Sequence, residues 1–415
     1  MKVTPLDTAL PSRRMMIEMI LLAAALVSLT YAVLSAPGLG IDLAQFRNGA
    51  IEWVNGTFRI GQGQIGEYPP FALPVFAPMA FASFQTVMMV SLVLKLAATA
   101  LSLWMTIKLW GGDWPVRIRI YLAAFLLSWA PFRVTMRVGQ ISLFILALLL
   151  GAILARQRNR TILAGLLTGF SLCKYTLSFP FVLYFAWKRE WRMVATALIV
   201  PLVLTEIFAL RLDMPLWQVI ADYLKLSSHI LASGLPGRSG TTEIRPLILD
   251  LTGGNELLSA ILILSLSGLA LICMSVVFSR TRGWESAHFA AVALFCLWAV
   301  YHRTYDSVMC LLPASLFVGL IVRGKHVAFS RFWLCAYGLL IVSIPGLLVD
   351  RLKLDPAGRS ANPLLLLGLH IERLLVFGSF CSLLFLMWKS KEVGSELLDD
   401  VQEDEERAAA VMTVR

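Results

Sequence analysis

An all-α polytopic membrane protein, threaded through the bilayer about twelve times, is the fold class this sequence predicts. Three observations carry the prediction. Apolar runs near the roughly 20-residue length of a spanning helix recur along the chain. Hydrophobic residues make up 58% of the 415 and charged residues only 15%, with a mean hydropathy of +0.76. Finally, most Lys and Arg residues flank the apolar runs instead of gathering in one domain, the pattern of a chain oriented by its basic loops. The net charge of +10 therefore does not predict nucleic-acid binding, since no contiguous basic region could displace counterions from a phosphate backbone.

The first run, 15–36, is long enough to span, and the Pro-Gly-Leu-Gly that follows is a poor cleavage site, so it reads as a retained helix. Further runs fall at 86–110, 117–132, 139–155, 161–173, 175–187, 193–210, 257–278, 285–301, 306–322, 332–349 and 366–388. The apolar stretch 71–84 is short and carries Pro74 and Pro78. Counting it as a span would put the basic clusters 156–160 and 188–192 opposite Arg13 and Arg14. As an interfacial helix it leaves all three inside. That assignment places 21 Lys and Arg on the cytoplasmic side and 13 outside, with Lys95 and Arg373 within spans. Both termini are then cytoplasmic, and two long outer loops emerge at 37–85 and 211–256. Residues 1–390 form one membrane domain, and 391–415 an acidic cytoplasmic tail.

The runs 161–173 and 175–187 are each only about 20 Å long, yet both outer flanks are basic. Two short helices meeting inside the membrane satisfy both facts and leave Lys174 at the break, the kind of interruption tolerated where it lines a polar cavity. One tilted span with Lys174 snorkelling is the alternative. The six cysteines lie in or beside apolar runs without C-x-x-C spacing, which indicates neither a disulfide framework nor a zinc site.

Charges that enter the membrane from the outer side form four groups: Asp42 with Arg47 and Glu52; Arg133, Arg137 and Gln140; Lys174; and Tyr301-His302-Arg303-Thr304-Tyr305-Asp306. Charge at membrane depth is costly and usually functional, so four groups on one face point to one polar cavity. Asp42 can accept a proton, unless it merely caps a helix beginning at Leu43. Arg137, Lys174 and Arg303 can hold a phosphate. A hydroxyl attacking an anomeric carbon needs a base, and a departing lipid phosphate needs cations more than an acid. No Asp-x-Asp pair stands in the first outer loop, so the sequence requires no metal and no other cofactor.

The order of Asp42, Tyr68-Pro69-Pro70, Val138-Gly139-Gln140, Lys174, the 188–192 cluster and His302-Arg303-Thr304-Tyr305-Asp306 resembles glycosyltransferase family 87, polyprenyl-phosphate-sugar-dependent membrane enzymes with the C-type glycosyltransferase fold. The resemblance covers roughly residues 15–390. It implies a hexosyltransferase of the plasma membrane that moves a sugar, usually mannose, from a polyprenyl-phosphate donor to a lipid or glycan acceptor on the outer face, with inversion. The first-loop Asp is the family's general base, which falls here on Asp42. Lys174, Arg303 and Arg137 are the candidates for the donor phosphate. Gln140, His302, Asp306 and Tyr68 are the candidates for positioning substrate. The family often shows Gly-Gln-x-Asn; here Gln140 is followed by Ile141 and Ser142, whose hydroxyl still hydrogen-bonds. A secondary transporter or flippase for a lipid-linked or anionic substrate is the competing class. The long outer loops and the lack of internal repeat symmetry count against it.

Overall fold

The computed structural model describes residues 11–35, 40–61, 68–232, 241–341 and 363–390. Glu67, the Pro-Gly-rich centre of the second long loop, the end of the 332–349 run and the acidic tail lie outside them. The described chain is helical throughout, with one isolated β-bridge between Thr241 and Arg303. Its helices are α1 (Pro11–Ser35), α2 (Ile41–Val54), α3 (Ala72–Phe76), α4 (Phe84–Trp110), α5 (Val116–Ser128), α6 (Ala130–Val138), α7 (Ser142–Gln157), α8 (Thr161–Ser171), α9 (Tyr175–Trp187), α10 (Trp191–Arg211), α11 (Leu216–Ala232), α12 (Arg245–Leu251), α13 (Glu256–Arg280), α14 (Glu285–Ala299), α15 (Leu311–Val322), α16 (Val327–Gly338) and α17 (Pro363–Lys389).

Among the described residues seven segments are long and apolar enough to cross a membrane, and α6 with α7, which meet at 114°, would make an eighth. The chain is a multi-pass membrane protein. Its other apolar runs form shorter helices such as α14. Every residue of α14 from Ala287 to Trp298 is buried, as a helix apolar on all sides must be at the centre of a bundle. By contrast α13 leaves Leu257, Leu264 and Ile272 exposed, a surface that suits lipid and not water.

Although 161–187 has the length of a span, it is folded back on itself. A 3-10 turn over Leu172–Lys174 separates α8 from α9, and the backbone at Lys174 leaves the helical region (φ −123, ψ 70). Ser178 Oγ then donates to the Ser171 carbonyl at 2.8 Å, seven residues back, a reach no continuous helix permits. Beyond the two halves, Arg156 bonds to Glu190, so both basic turns lie at one end of the bundle. Lys174 sits at the apex of this hairpin. Gly165 and Gly169, four apart on α8, let α10 approach closely: a Cβ at either would lie within 2.6 Å of a Thr196 or Val200 side chain.

The first long loop packs by a helical stripe. Leu43, Phe46, Ala50 and Trp53 of α2 are buried at spacings of three and four. Phe46 stacks on Phe76 and meets Tyr68 edge-on, both at 4.8 Å. Residues Ala72–Phe81 form α3 and a 3-10 extension that is too short to span. This layer lies over the ends of α4, α6 and α10 and carries Asp42.

Candidate active site

Asp42 does not cap α2. The N-cap position is Gly40, no side chain caps the helix, and Asp42 stands in the first turn with its carboxylate turned inward. What brings it there is Gly139. This residue ends α6 in the left-handed region (φ +86), and a Cβ on it would lie 2.5 Å from Leu43 Cβ and 3.0 Å from Leu43 N. Only glycine gives both the conformation and the close approach. The backbone of α2 therefore rests on the α6–α7 bend, and Asp42 meets Gln140.

Gln140 is the hub of the site. Its Nε2 donates to Asp42 Oδ2 at 2.7 Å and to the Tyr305 hydroxyl at 3.1 Å. Its Oε1 accepts from the Tyr68 hydroxyl at 2.9 Å and from Lys174 Nζ at 3.2 Å. The amide orientation is fixed by its neighbours, since a reversed amide would set its NH2 against an ammonium and its oxygen against a carboxylate. Lys174 also donates to Ser142 Oγ at 3.1 Å and pairs with Asp306 Oδ1 at 2.5 Å. Its ammonium lies 4.6 Å from the centre of the Tyr305 ring. Asp306 Oδ1 accepts from Ser142 as well, and Asp306 Oδ2 lies 3.0 Å from His302 Nδ1. With Nδ1 donating to the carboxylate, the buried Nε2 of His302 has no hydrogen-bond partner among the described residues. One continuous chain thus runs from Asp42 through Gln140, Lys174 and Asp306 to His302.

Asp42 makes no other hydrogen bond among the described residues. Burial raises its carboxyl above the ordinary value, while the Gln140 bond and the charges of Arg303 and Lys174 pull it back down. A carboxylate so poised accepts a proton more readily than a solvated one. Lys174, in contrast, has all three of its donors placed, on Gln140, Ser142 and Asp306. A phosphate would have to displace one of them. Arg303 is exposed at the edge of the site, with its Nε donating to the Tyr301 hydroxyl at 2.8 Å.

Arg137 stands apart from this network. Its guanidinium lies 5.5 Å from the centre of the Tyr31 ring, and its buried Nε has no hydrogen-bond partner among the described residues. Arg133 is likewise engaged elsewhere, donating to Ser28 Oγ and the Ser128 carbonyl.

A second set of polar residues holds the 300–306 segment in place. Thr242 N donates to the His302 carbonyl and Ile244 N to the Trp298 carbonyl, both at 2.9 Å. Thr304 donates to Glu372 at 2.9 Å, and Arg373 donates to Thr241 Oγ1 at 2.7 Å. Arg373 also donates to His370 Nδ1, which leaves the His370 Nε2 proton for Asp250 Oδ2 at 3.0 Å. The sequence gives Tyr305 and Ser142 no role of their own beside the candidate residues, and it leaves Glu372 out altogether. A signal for the last existed in His370-Ile371-Glu372-Arg373, three ionisable residues inside an apolar run. Among the described residues no cluster of three or more metal-ligating His, Cys, Asp or Glu side chains occurs.

The model of glycosyltransferase family 87 matches residues 67–301 of the chain. A polyprenol-phosphate-mannose-dependent α-(1-2)-phosphatidylinositol mannoside mannosyltransferase of Mycobacterium tuberculosis (strain H37Rv) is 25% identical over 330 residues, covering 72% of this chain and 75% of that protein. No solved structure matches.

Proposed function

This chain belongs to glycosyltransferase family 87 and is a membrane glycosyltransferase, and from that premise we propose that it transfers mannose from a polyprenyl-phosphate donor to a glycolipid acceptor with inversion, using Asp42 as the base. The observation that carries the reading is the 2.7 Å bond from Gln140 to Asp42, which aims one carboxylate oxygen and leaves the other for an incoming hydroxyl. In the reaction the acceptor oxygen bonds to the anomeric carbon as its proton passes to Asp42. The bond from that carbon to the phosphate oxygen breaks, and the lipid phosphate leaves with the electron pair. Arg303 at the site edge meets the developing charge, while Lys174 and Tyr68 hold the Gln140 amide against Asp42. A mannose donor is supported by the mycobacterial relative, named for its dependence on polyprenol-phosphate-mannose.

The site is assigned to the outer face of the cell membrane and both termini to the cytoplasm, from the distribution of basic residues. Impermeant maleimide on cells should label Arg59→Cys but not Arg158→Cys. The function is tested with purified protein in detergent, where no ion gradient exists. Transfer of mannose from polyprenyl-phosphate mannose to a phosphatidylinositol mannoside is expected. No sugar transfer, together with gradient-driven uptake after reconstitution, would replace this reading with a transporter.

A further inference from the structure

Lys95 is a buried charge that the catalytic reading leaves unused. It lies midway along α4 and is 1% exposed; its carbonyl accepts from the Thr99 hydroxyl, but its ammonium makes no hydrogen bond or ion pair among the described residues. An ammonium removed from water without compensation is costly, and an ionisable side chain inside a spanning helix is rare unless another charge or a pathway requires it.

Helix geometry shows where this side chain reaches. Met88, Ser91, Leu92 and Lys95 share one buried face of α4, at spacings of three, four and seven. Met88 is the residue against which Gly40 rests, for a Cβ on Gly40 would come 2.1 Å from Met88 Cε. The start of α2, two residues before Asp42, is thus packed on the first turns of α4. Lys95 lies seven residues farther along, about 10 Å below. Helical side chains lean toward the N-terminus of their own helix, which in α4 is the end covered by α2. The long stem of Lys95 therefore carries its ammonium back toward Asp42, near enough for the two charges to interact.

The other groups around Asp42 are already accounted for. Gln140 bonds to it, and Lys174, Arg303 and Asp306 act on it through space. Tyr68 and Tyr305 face the same hub. On α6, Arg133 and Arg137 are turned to Ser28 and Tyr31. On α10, Arg211 bonds to Val54 at the far end of α2 and Glu206 is exposed. The short α3 and its extension carry no ionisable residue.

We infer that Lys95 is a further counter-charge of Asp42, secondary to Arg303 and Lys174, a positioning residue that helps to hold the carboxylate ionised from beneath while Gln140 orients it from the side. The inference rests on the reading of Asp42 as the base. It also gives Lys95 a part in turnover. Once Asp42 has taken the acceptor's proton, the ammonium has lost its counter-ion, which favours release of that proton to water and resets the site.

The test compares Lys95→Met with wild type in the full-length protein, using polyprenyl-phosphate mannose. The acid limb of the kcat profile should move up by about 0.5 pH unit. Turnover on that limb should fall about 3-fold and recover toward alkaline pH, with the donor KM within about 2-fold of wild type. An unmoved limb in folded, active Lys95→Met overturns the inference. A melting cycle covers the case of a variant too weak to assay. Asp42→Asn leaves Lys95 alone and should lower Tm, and Asp42→Asn/Lys95→Met should recover it; additive shifts overturn the pairing. The two readings fail separately. An active Asp42→Asn enzyme removes the base assignment while the melting cycle still measures the pair, whereas an inactive Asp42→Asn with a fixed acid limb in Lys95→Met removes only the counter-charge.

Discussion

At one end of α7, Ser142 joins Lys174 and Asp306; at the other, Arg156 joins Glu190 and Glu285. The helix between them is 16 residues, about 24 Å. At the far end Arg156, Lys188, Glu190 and Glu285 pair with one another. Arg156 bonds Glu285 with both terminal nitrogens, at 2.9 and 3.0 Å, and reaches Glu190 as well, while Lys188 pairs with Glu285 at 3.2 Å. The Asp42 end is built from similar groups but is not closed. One Asp42 oxygen, His302 Nε2 and the Lys95 ammonium have no hydrogen-bond partner among the described residues. A saturated ion cluster fixes helix ends, whereas one that keeps unpartnered donors and acceptors in a dry setting retains binding capacity at a cost in stability.

The largest effect that separates the two ends is expected from Asp42→Asn. The amide keeps the size of the side chain but accepts no proton, so kcat should fall by about 100-fold or more, with donor KM nearly unchanged and the chain folded. Transfer at near wild-type rate would make the open end merely structural and bring Glu52 forward as the base. Lys174→Ala comes next, and there the structure predicts a double loss. Asp306 is buried at 2% exposure, and removing its cation leaves an uncompensated charge that costs about 3–5 kcal/mol, while Gln140 loses the donor that fixes its oxygen. Lys174→Met/Asp306→Asn should regain most of the stability and little of the activity. Recovery of both would mean that the pair serves folding alone.

His302→Gln should cost about 10-fold in turnover, well short of the loss of a general base, because glutamine can still bond to Asp306 and present a polar atom to substrate. The specific rival is the dyad of Asp306 and His302, whose free Nε2 is placed as an acceptor. A loss in well-folded His302→Gln equal to that of Asp42→Asn would give the base to the histidine.

The comparison also marks what the sequence could disclose. Lys174 was legible because two short apolar runs with basic flanks fit a reversal better than one tilted span, and a reversal puts a charge at its apex. Asp42 was legible as an acid held just past the first span. Its partner was not, since Gln140 is 98 residues away, and only the left-handed turn at Gly139 brings α2 onto it. The same contact explains why Asp42 lies in the first turn of α2 and leaves the cap to Gly40. Arg137 stood in the sequence as a weaker candidate for the phosphate than Lys174, and three residues before Gln140 on α6 its guanidinium lies over the Tyr31 ring. Lys95 showed only as a lone Lys in an apolar run, because its meaning depends on which face of α4 meets α2.

The smallest effect on catalysis, and the sharpest contrast, belongs to Arg156→Met. The side chain is 17% exposed and serves two carboxylates at once, so its removal leaves Glu190 without its ion pair and Glu285 with Lys188 alone. Water reaches this end of the bundle, which lowers the cost below that of a fully buried pair, to about 2 kcal/mol. The loss should appear as a lower Tm, and salt should narrow the gap to wild type by screening the cluster that remains only in the intact protein. Turnover should stay within about 2-fold, because α7 connects the two ends but Ser142, Gln140 and Asp42 are fixed by Gly139, Lys174 and Asp306. If kcat of folded Arg156→Met fell by 10-fold or more, the clamp would be holding the site in register along α7, and the two ends would be one mechanical unit instead of two.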